Sequence, residues 1–129
     1  MRADLHIHTS ASDGLKTPRE AAEHMHGLGV EIISVTDHDT VSGLDEAAEE
    51  CRALGVRFVP GIEISAHSNS EIHILGYNID YKNPDFCEQI AKVKDMRRAR
   101  NLLIGEKLAG YGVELGIDFS SAGLGRMNI

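Results

Sequence analysis

Ile32-Ile33-Ser34-Val35-Thr36-Asp37-His38-Asp39 is the stretch that decides the fold class. Its first half is β-branched and apolar, the composition of a strand covered on both faces. Its second half packs two carboxylates around an imidazole just where that strand must end. Sheets of α/β proteins gather their ligands at the carboxyl ends of their strands.

The same grammar repeats on either side. Upstream, Ala3–Ile7 reads as a strand running through Leu5-His6-Ile7-His8 into a polar, Gly-containing loop, Thr9–Lys16, which holds Asp13. Alternation along a strand puts His6 and His8 on one face. Thr17-Pro18-Arg19-Glu20 then has the marks of a helix start: Thr17 to cap, Pro18 at the first helical position and Glu20 to complete a capping box. That helix is expected to run to about Leu28, with Gly29 in the left-handed position beyond it.

Downstream, Ser42 is expected to cap a second helix with Asp45 in its first turn and an end near Leu54-Gly55. Arg57–Val59 and Ile62–Ser65 read as extended chain broken by Pro60-Gly61, and Glu71–Leu75 as a further strand after a polar turn, His67–Ser70. Glu63 and His73 interrupt these two apolar runs. Strand, helix, strand, helix, strand predicts βαβ units and a parallel sheet. From Asn83-Pro84 the pattern turns to one long helix, to about Ala109, in which Glu88 and Lys92 are spaced as an ion pair. Glycines at 110, 112, 116, 123 and 125 punctuate the rest. The organisation expected is residues 1–82 as an α/β part with a parallel sheet and 83–129 as a helical part.

The chain has 129 residues, 42% of them hydrophobic, and a net charge of −7. That is enough for one domain with a real core. The acidic balance argues against broad capture of duplex nucleic acid. No apolar run is long enough to span a bilayer, and the strand-like start leaves no room for a signal peptide, so the expected location is cytoplasmic. Cys51 and Cys87 lack CxxC spacing and are read as free, packing thiols. There is no phosphate-binding glycine loop and no GxSxG elbow, and neither cysteine sits beside a base. Those absences disfavour a side-chain nucleophile. Imidazoles mixed with carboxylates instead suit a divalent transition metal, with metal-activated water as nucleophile.

Other candidates are weaker. His24 and His26, two apart on a helix, cannot face each other and are read as surface residues. His67 lies in a turn. Arg97, Arg98 and Arg100 read as a solvated helix face. Arg126 is the better phosphate ligand, since a guanidinium matches phosphate oxygens bidentately.

Together the stretches Asp4-Leu5-His6-Ile7-His8-Thr9 through Ser12-Asp13-Gly14, Thr36-Asp37-His38-Asp39-Thr40, Gly61-Ile62-Glu63-Ile64-Ser65 and His73-Ile74-Leu75-Gly76-Tyr77 resemble the polymerase and histidinol phosphatase (PHP) family, in the right order over about the first 80 residues. The branch they resemble acts on nucleotide phosphates and short RNA ends. The resemblance implies a distorted TIM-like (β/α) barrel, incomplete in this chain, with a helical insertion after the fourth cluster. It implies a divalent metal cluster of manganese, iron or zinc held by His6, His8, Asp13, His38, Glu63 and His73, with Glu63 bridging. Asp37 and Asp39 are expected behind His38, one of them accepting from its imidazole. Gly125-Arg126-Met127-Asn128-Ile129 resembles a family motif that usually carries histidine at the position of Asn128, which makes Arg126 and Asn128 weak substrate contacts. The family's later ligands, including an Asp-x-His, are not in this sequence, so it reads as part of a larger protein. The activity implied is phosphate-ester hydrolysis on a phosphorylated small molecule, nucleotide or RNA end, with association through an open sheet edge as a further expectation. Two rivals remain: a non-catalytic metal-stabilised module, and a metal-dependent amidohydrolase.

Overall fold

A computed structural model describes residues 1–67, 71–113 and 116, apart from the side chains of His67 and Glu71. Three parallel strands lie in the order β1 (Ala3–Ile7), β2 (Ile32–Val35), β3 (Arg57–Phe58), and two helices connect them, α1 (Pro18–Gly27) and α2 (Leu44–Leu54). This is the βαβαβ unit expected from the sequence. Its two helices pack together over one core of Ile7, Ala21, Ala22, Val30, Ile33, Cys51 and Val56. A second core gathers Val35, Leu44 and Ala47 with Phe58, Ile79 and Tyr81 against them.

The helix signals were local and held at most ends. Thr17 and Glu20 form the reciprocal capping box around Pro18. Gly29 and Gly55 take the left-handed conformation at φ 73° and 72°. Ser42 is a correction: Gly43 is the N-cap of α2, and no side chain caps that helix. The backbone already closes this turn. The Leu44 N–H donates to the Val41 carbonyl at 3.1 Å, and the Ser42 N–H to Thr40 Oγ1 at 3.3 Å.

A second correction concerns the strands after Pro60. β4 (Gly61–His67) and β5 (Glu71–Tyr77) form an antiparallel pair, not a continuation of the parallel sheet. Their spacing explains it. Only residues 68–70 separate them, enough for a hairpin but far short of the crossover a parallel neighbour needs. β4 nevertheless runs beside the continuation of β2, through a parallel bridge between His38 and Glu63. The Glu63 N–H donates to Asp37 O at 3.2 Å, and the Asp39 N–H to Glu63 O at 3.0 Å. Gly61 permits that approach, since a Cβ there would collide with the Ser34 hydroxyl and the Thr36 methyl.

α3 (Pro84–Gly110) follows, capped by the Asn83 side chain, which accepts from the Phe86 N–H at 3.1 Å. Its Glu88–Lys92 pair forms at 2.7 Å. Of its described residues only Ile90 and Asn101 are buried. No helix among the described residues is long and apolar enough to cross a membrane.

Candidate metal centre

The bridge between His38 and Glu63 brings the sequence clusters together. β1 carries His6 and ends just before His8, β2 ends three residues before His38, and the hairpin supplies Glu63 and His73. The loop after β1 folds back and adds Asp13. Gly14 makes this possible, because any Cβ there would run into the His8 carbonyl and the Thr9 nitrogen.

Glu63 is the hub. Its Oε2 lies 2.9 Å from Nε2 of both His6 and His8 and 3.8 Å from Nε2 of His38. Its Oε1 lies 2.8 Å from Nδ1 of His73. Asp13 is 3.2 Å from His8 Nδ1 and 3.7 Å from His38 Nε2. Three overlapping donor groups result: His6, His8 and Glu63; His8, Asp13 and His38; His38, Glu63 and His73. Within each group the donor atoms lie within 4.8 Å of one another. All six residues singled out by sequence therefore meet at one place.

The donor set suits a divalent cation. The Nε2 atoms of His6 and His8 lie 3.0 Å apart and each 2.9 Å from Glu63 Oε2, so if both rings donate to the carboxylate neither can accept from the other. The Nδ1 atoms of His8 and His38 are buried without a hydrogen-bond partner; the approach of Asp13 to His8 lacks hydrogen-bonding geometry. Converging imidazoles around one carboxylate, with ring nitrogens left over, are what a metal cluster requires.

Electrostatics point the same way. Burial alone would raise the pKa of Glu63. The hydrogen bond from His6 and the charges of His38, His6 and His8 outweigh it, and the carboxyl sits below its usual range. Burial lowers the pKa of His38, more than Glu63 and Asp13 raise it. A neutral imidazole beside an ionised carboxylate is the protonation state metal ligation uses.

Asp37 and Asp39 are placed differently from expectation. Neither accepts from the His38 ring. Asp37, almost wholly buried, accepts from the Thr9 N–H at 2.7 Å, the Thr9 hydroxyl at 2.6 Å and the Ser12 hydroxyl at 2.6 Å. It pins the loop that carries Asp13. Asp39 accepts from the Ser65 N–H at 2.9 Å and pairs with Arg97 of α3, whose guanidinium also donates to the Ser65 hydroxyl. Both aspartates face away from the imidazole because their acceptor oxygens are taken by backbone and hydroxyl donors of neighbouring segments.

Arg97 is the residue that sequence reasoning missed. Its helix shows charges at 97, 98 and 100, the look of a solvated face, but Arg97 is only 12% exposed. Arg98 and Arg100 are exposed, as are His24 and His26. A cavity of about 210 Å³ opens beside the centre, lined by Asp39, Ser65, Val93, Met96, Arg97 and Arg100. Arg126 and Asn128 lie outside the described residues, as does the side chain of His67. Cys51 and Cys87 are free, and burial pushes the Cys51 thiol up to about 11.

A fold that ends its strands in such a cluster has known counterparts. The sequence model of the PHP domain matches residues 4–115, and the chain belongs to that family. It is 35% identical over 120 residues to a protein of Haemophilus influenzae named 5'-3' exoribonuclease, covering 92% of this chain and 44% of that one. A solved structure from Chromobacterium violaceum, described as an amidohydrolase with bound sulfate and no metal, superposes with a TM-score of 0.81 at 31% identity, over 88% of this chain and 40% of that one. A structure from Bifidobacterium adolescentis, described as a metal-dependent phosphoesterase, gives 0.77 at 32% identity, over 84% and 39%. The chain thus spans less than half the length of these relatives.

Proposed function

We propose that this chain is the metal-holding part of a phosphoesterase that hydrolyses nucleotide phosphates or RNA ends. The observation that carries the reading is Glu63, which belongs to two of three overlapping sets of metal donors and faces four histidines with its two oxygens. The names of the exoribonuclease and phosphoesterase relatives support the substrate class. The βαβαβ unit fits the first part of a TIM-like barrel, with residues 1–82 as that part and 83–129 as a helical insertion.

His6, His8, Asp13, His38, Glu63 and His73 would hold the metals. When bound, divalent ions supply Lewis-acid charge and acidify water to a pKa of about 7. The chain's own residues set the stage for that chemistry. Glu63 stays ionised among the imidazoles. Asp37 fixes the Asp13 loop at Thr9 and Ser12, so the carboxylate from the loop and the imidazoles from the strands meet in register. The cavity beside Ser65 and Arg100 receives the group esterified to the phosphate. With apolar walls from Val93 and Met96 and the exposed guanidinium of Arg100, it suits a nucleoside better than a small alcohol.

The amidohydrolase alternative has the description of the Chromobacterium structure in its favour. The five described strands contain no lysine, a residue that class commonly places on its strands.

The test is turnover by the intact protein, stripped of metal by chelator and reloaded with manganese, iron(II) or zinc. The substrates are a 5'-phosphorylated RNA oligonucleotide, a mononucleotide and a simple amide. Metal-dependent release from the phosphate esters alone is expected. Amide hydrolysis without phosphate-ester hydrolysis would replace this reading with its rival. Bound metal with no turnover of any substrate would make the domain a structural module.

A further inference from the structure

α3 reaches the metal centre through a part-buried arginine. Arg97 donates to Asp39 Oδ2 and to the Ser65 hydroxyl. Asp39 is 2% exposed and directly follows His38; Ser65 lies two residues beyond Glu63, on the same face of β4. Asp39 also takes the Ser65 N–H, and its own N–H goes to Glu63 O. Its backbone sits at φ 50°, a left-handed conformation uncommon outside glycine but tolerated by aspartate.

We propose that Arg97 is a positioning residue for the metal centre: by clamping Asp39 to Ser65 it sets His38 against Glu63 and makes the helical segment part of the site. The inference rests on the metal-centre reading above. Arg97 does not touch the donor atoms. It holds the two strand ends that carry them. Without the guanidinium, Asp39 is a buried carboxylate with no cationic partner, and the left-handed turn after His38 has lost one of its restraints. His38 belongs to two donor groups, with His8 and Asp13 and with Glu63 and His73. It has no part in the His6, His8 and Glu63 group. Through Asp39 the clasp bears most directly on His38, and so governs the equivalents that need His38 more than the one that does not.

A pure charge effect would run the opposite way. Arg97 is a cation near a cation site, and removing it would strengthen metal binding by Coulomb's law alone. The sign of the change separates the two.

The experiment is cobalt(II) titration of the intact, metal-free protein, read by its visible absorption and by equilibrium dialysis. Wild type, Arg97→Met, Arg97→Lys, Asp39→Asn and His38→Ala are compared. Loss of partners that orient metal ligands typically weakens affinity about 10- to 100-fold. R97M should show that loss in the same equivalents that H38A loses and keep wild-type affinity for the remainder. R97K should recover most of it, because a single guanidinium nitrogen makes both contacts and an ammonium can replace it. D39N, which keeps the acceptor for Ser65 but not the charge, should match R97M, and the double variant should be no worse than either single one. Should R97M fail to fold by circular dichroism, D39N against R97K carries the same comparison. Unchanged or tighter cobalt binding in R97M, or parallel weakening of every equivalent, would overturn the proposal. So would a wild-type protein that binds no cobalt. Because hydrolysis is never measured, an inactive protein with these isotherms would sink the phosphoesterase reading and leave the clasp standing.

Discussion

The βαβαβ unit and α3 are built on opposite terms. In the first, the strands and helices pack into two cores, and Ile33, Val35, Ala22, Ala47 and Cys51 are fully buried. In the second, 27 helical residues bury only Ile90 and Asn101, while Met96, Leu102 and Leu103 stay exposed. α3 is attached at points. Its first turn is tied by the Cys87 thiol, which donates to the Tyr81 carbonyl, and just before it Lys82 and Tyr81 hold Asp45 of α2. Further along comes the Arg97 clasp. The difference teaches where each half gets its definition. Packing fixes the strand ends that carry His6, His8 and His38. Polar contacts fix the helix, and one of them lands beside the metal donors.

The largest effect should come from the hub. Glu63→Gln preserves size but removes the charge that four histidines face. Metal content by elemental analysis and phosphate-ester turnover should both fall more than about 100-fold, beyond the usual cost of an indirect partner. Retained metal in this variant would mean that the two donor groups containing Glu63 act without it.

Core truncations sharpen the contrast between the halves. Ile33→Ala should cost about 2–5 kcal/mol in urea unfolding, as expected for a fully enclosed aliphatic side chain. Ile90→Ala, with fewer buried neighbours around it, should cost less than about 2 kcal/mol. Equal losses would show that α3 is as firmly packed as the sheet.

Asp37 comes next. Asp37→Ala leaves the Thr9 N–H and two hydroxyls without their acceptor, a penalty of about 1–3 kcal/mol. Asp37→Asn, which keeps an acceptor oxygen, should recover part of it. The same unfolding assay reads both, and a neutral D37A would mean that the Asp13 loop is held by something else.

The smallest effect concerns Cys51. Its thiol is raised to about 11 by burial. Between the pH where an unfolded thiol ionises, about 8.5–9, and 11, the unfolded state loses a proton that the folded state keeps. Stability should therefore decline as pH rises through that window, and Cys51→Ala should remove that part of the slope. Ellman's reagent at pH 8 should modify Cys51 only after denaturant is added. Prompt labelling in the native protein would contradict its burial.

Most of the site was written locally. The HxH pair, the His after β2 and the carboxylate inside an apolar strand each signalled a donor through its place in an element, and chain order alone put them at one end of the sheet. The hairpin was legible too, since three residues between strands cannot make a crossover; the expected parallel sheet is β1–β3 and stops there. Ser42 failed as a cap because a backbone turn closed first, a competition that residue type does not reveal. Arg97 was hidden for a stronger reason. Its partners lie 58 and 32 residues away, and the local pattern around it is that of an exposed charged face. Only tertiary structure separates the half-buried Arg97 from its exposed neighbours at 98 and 100. The roles of Asp37 and Asp39 were lost the same way, to donors at Thr9, Ser12, Ser65 and Arg97 that the sequence sets far off.

The most direct test of the central claim is a crystal of the intact protein grown with zinc, measured above and below the zinc absorption edge. The account predicts anomalous peaks about 2.0–2.2 Å from Glu63 oxygens and from ring nitrogens of His6, His8, His38 and His73. Peaks elsewhere, or none at Glu63, would contradict it.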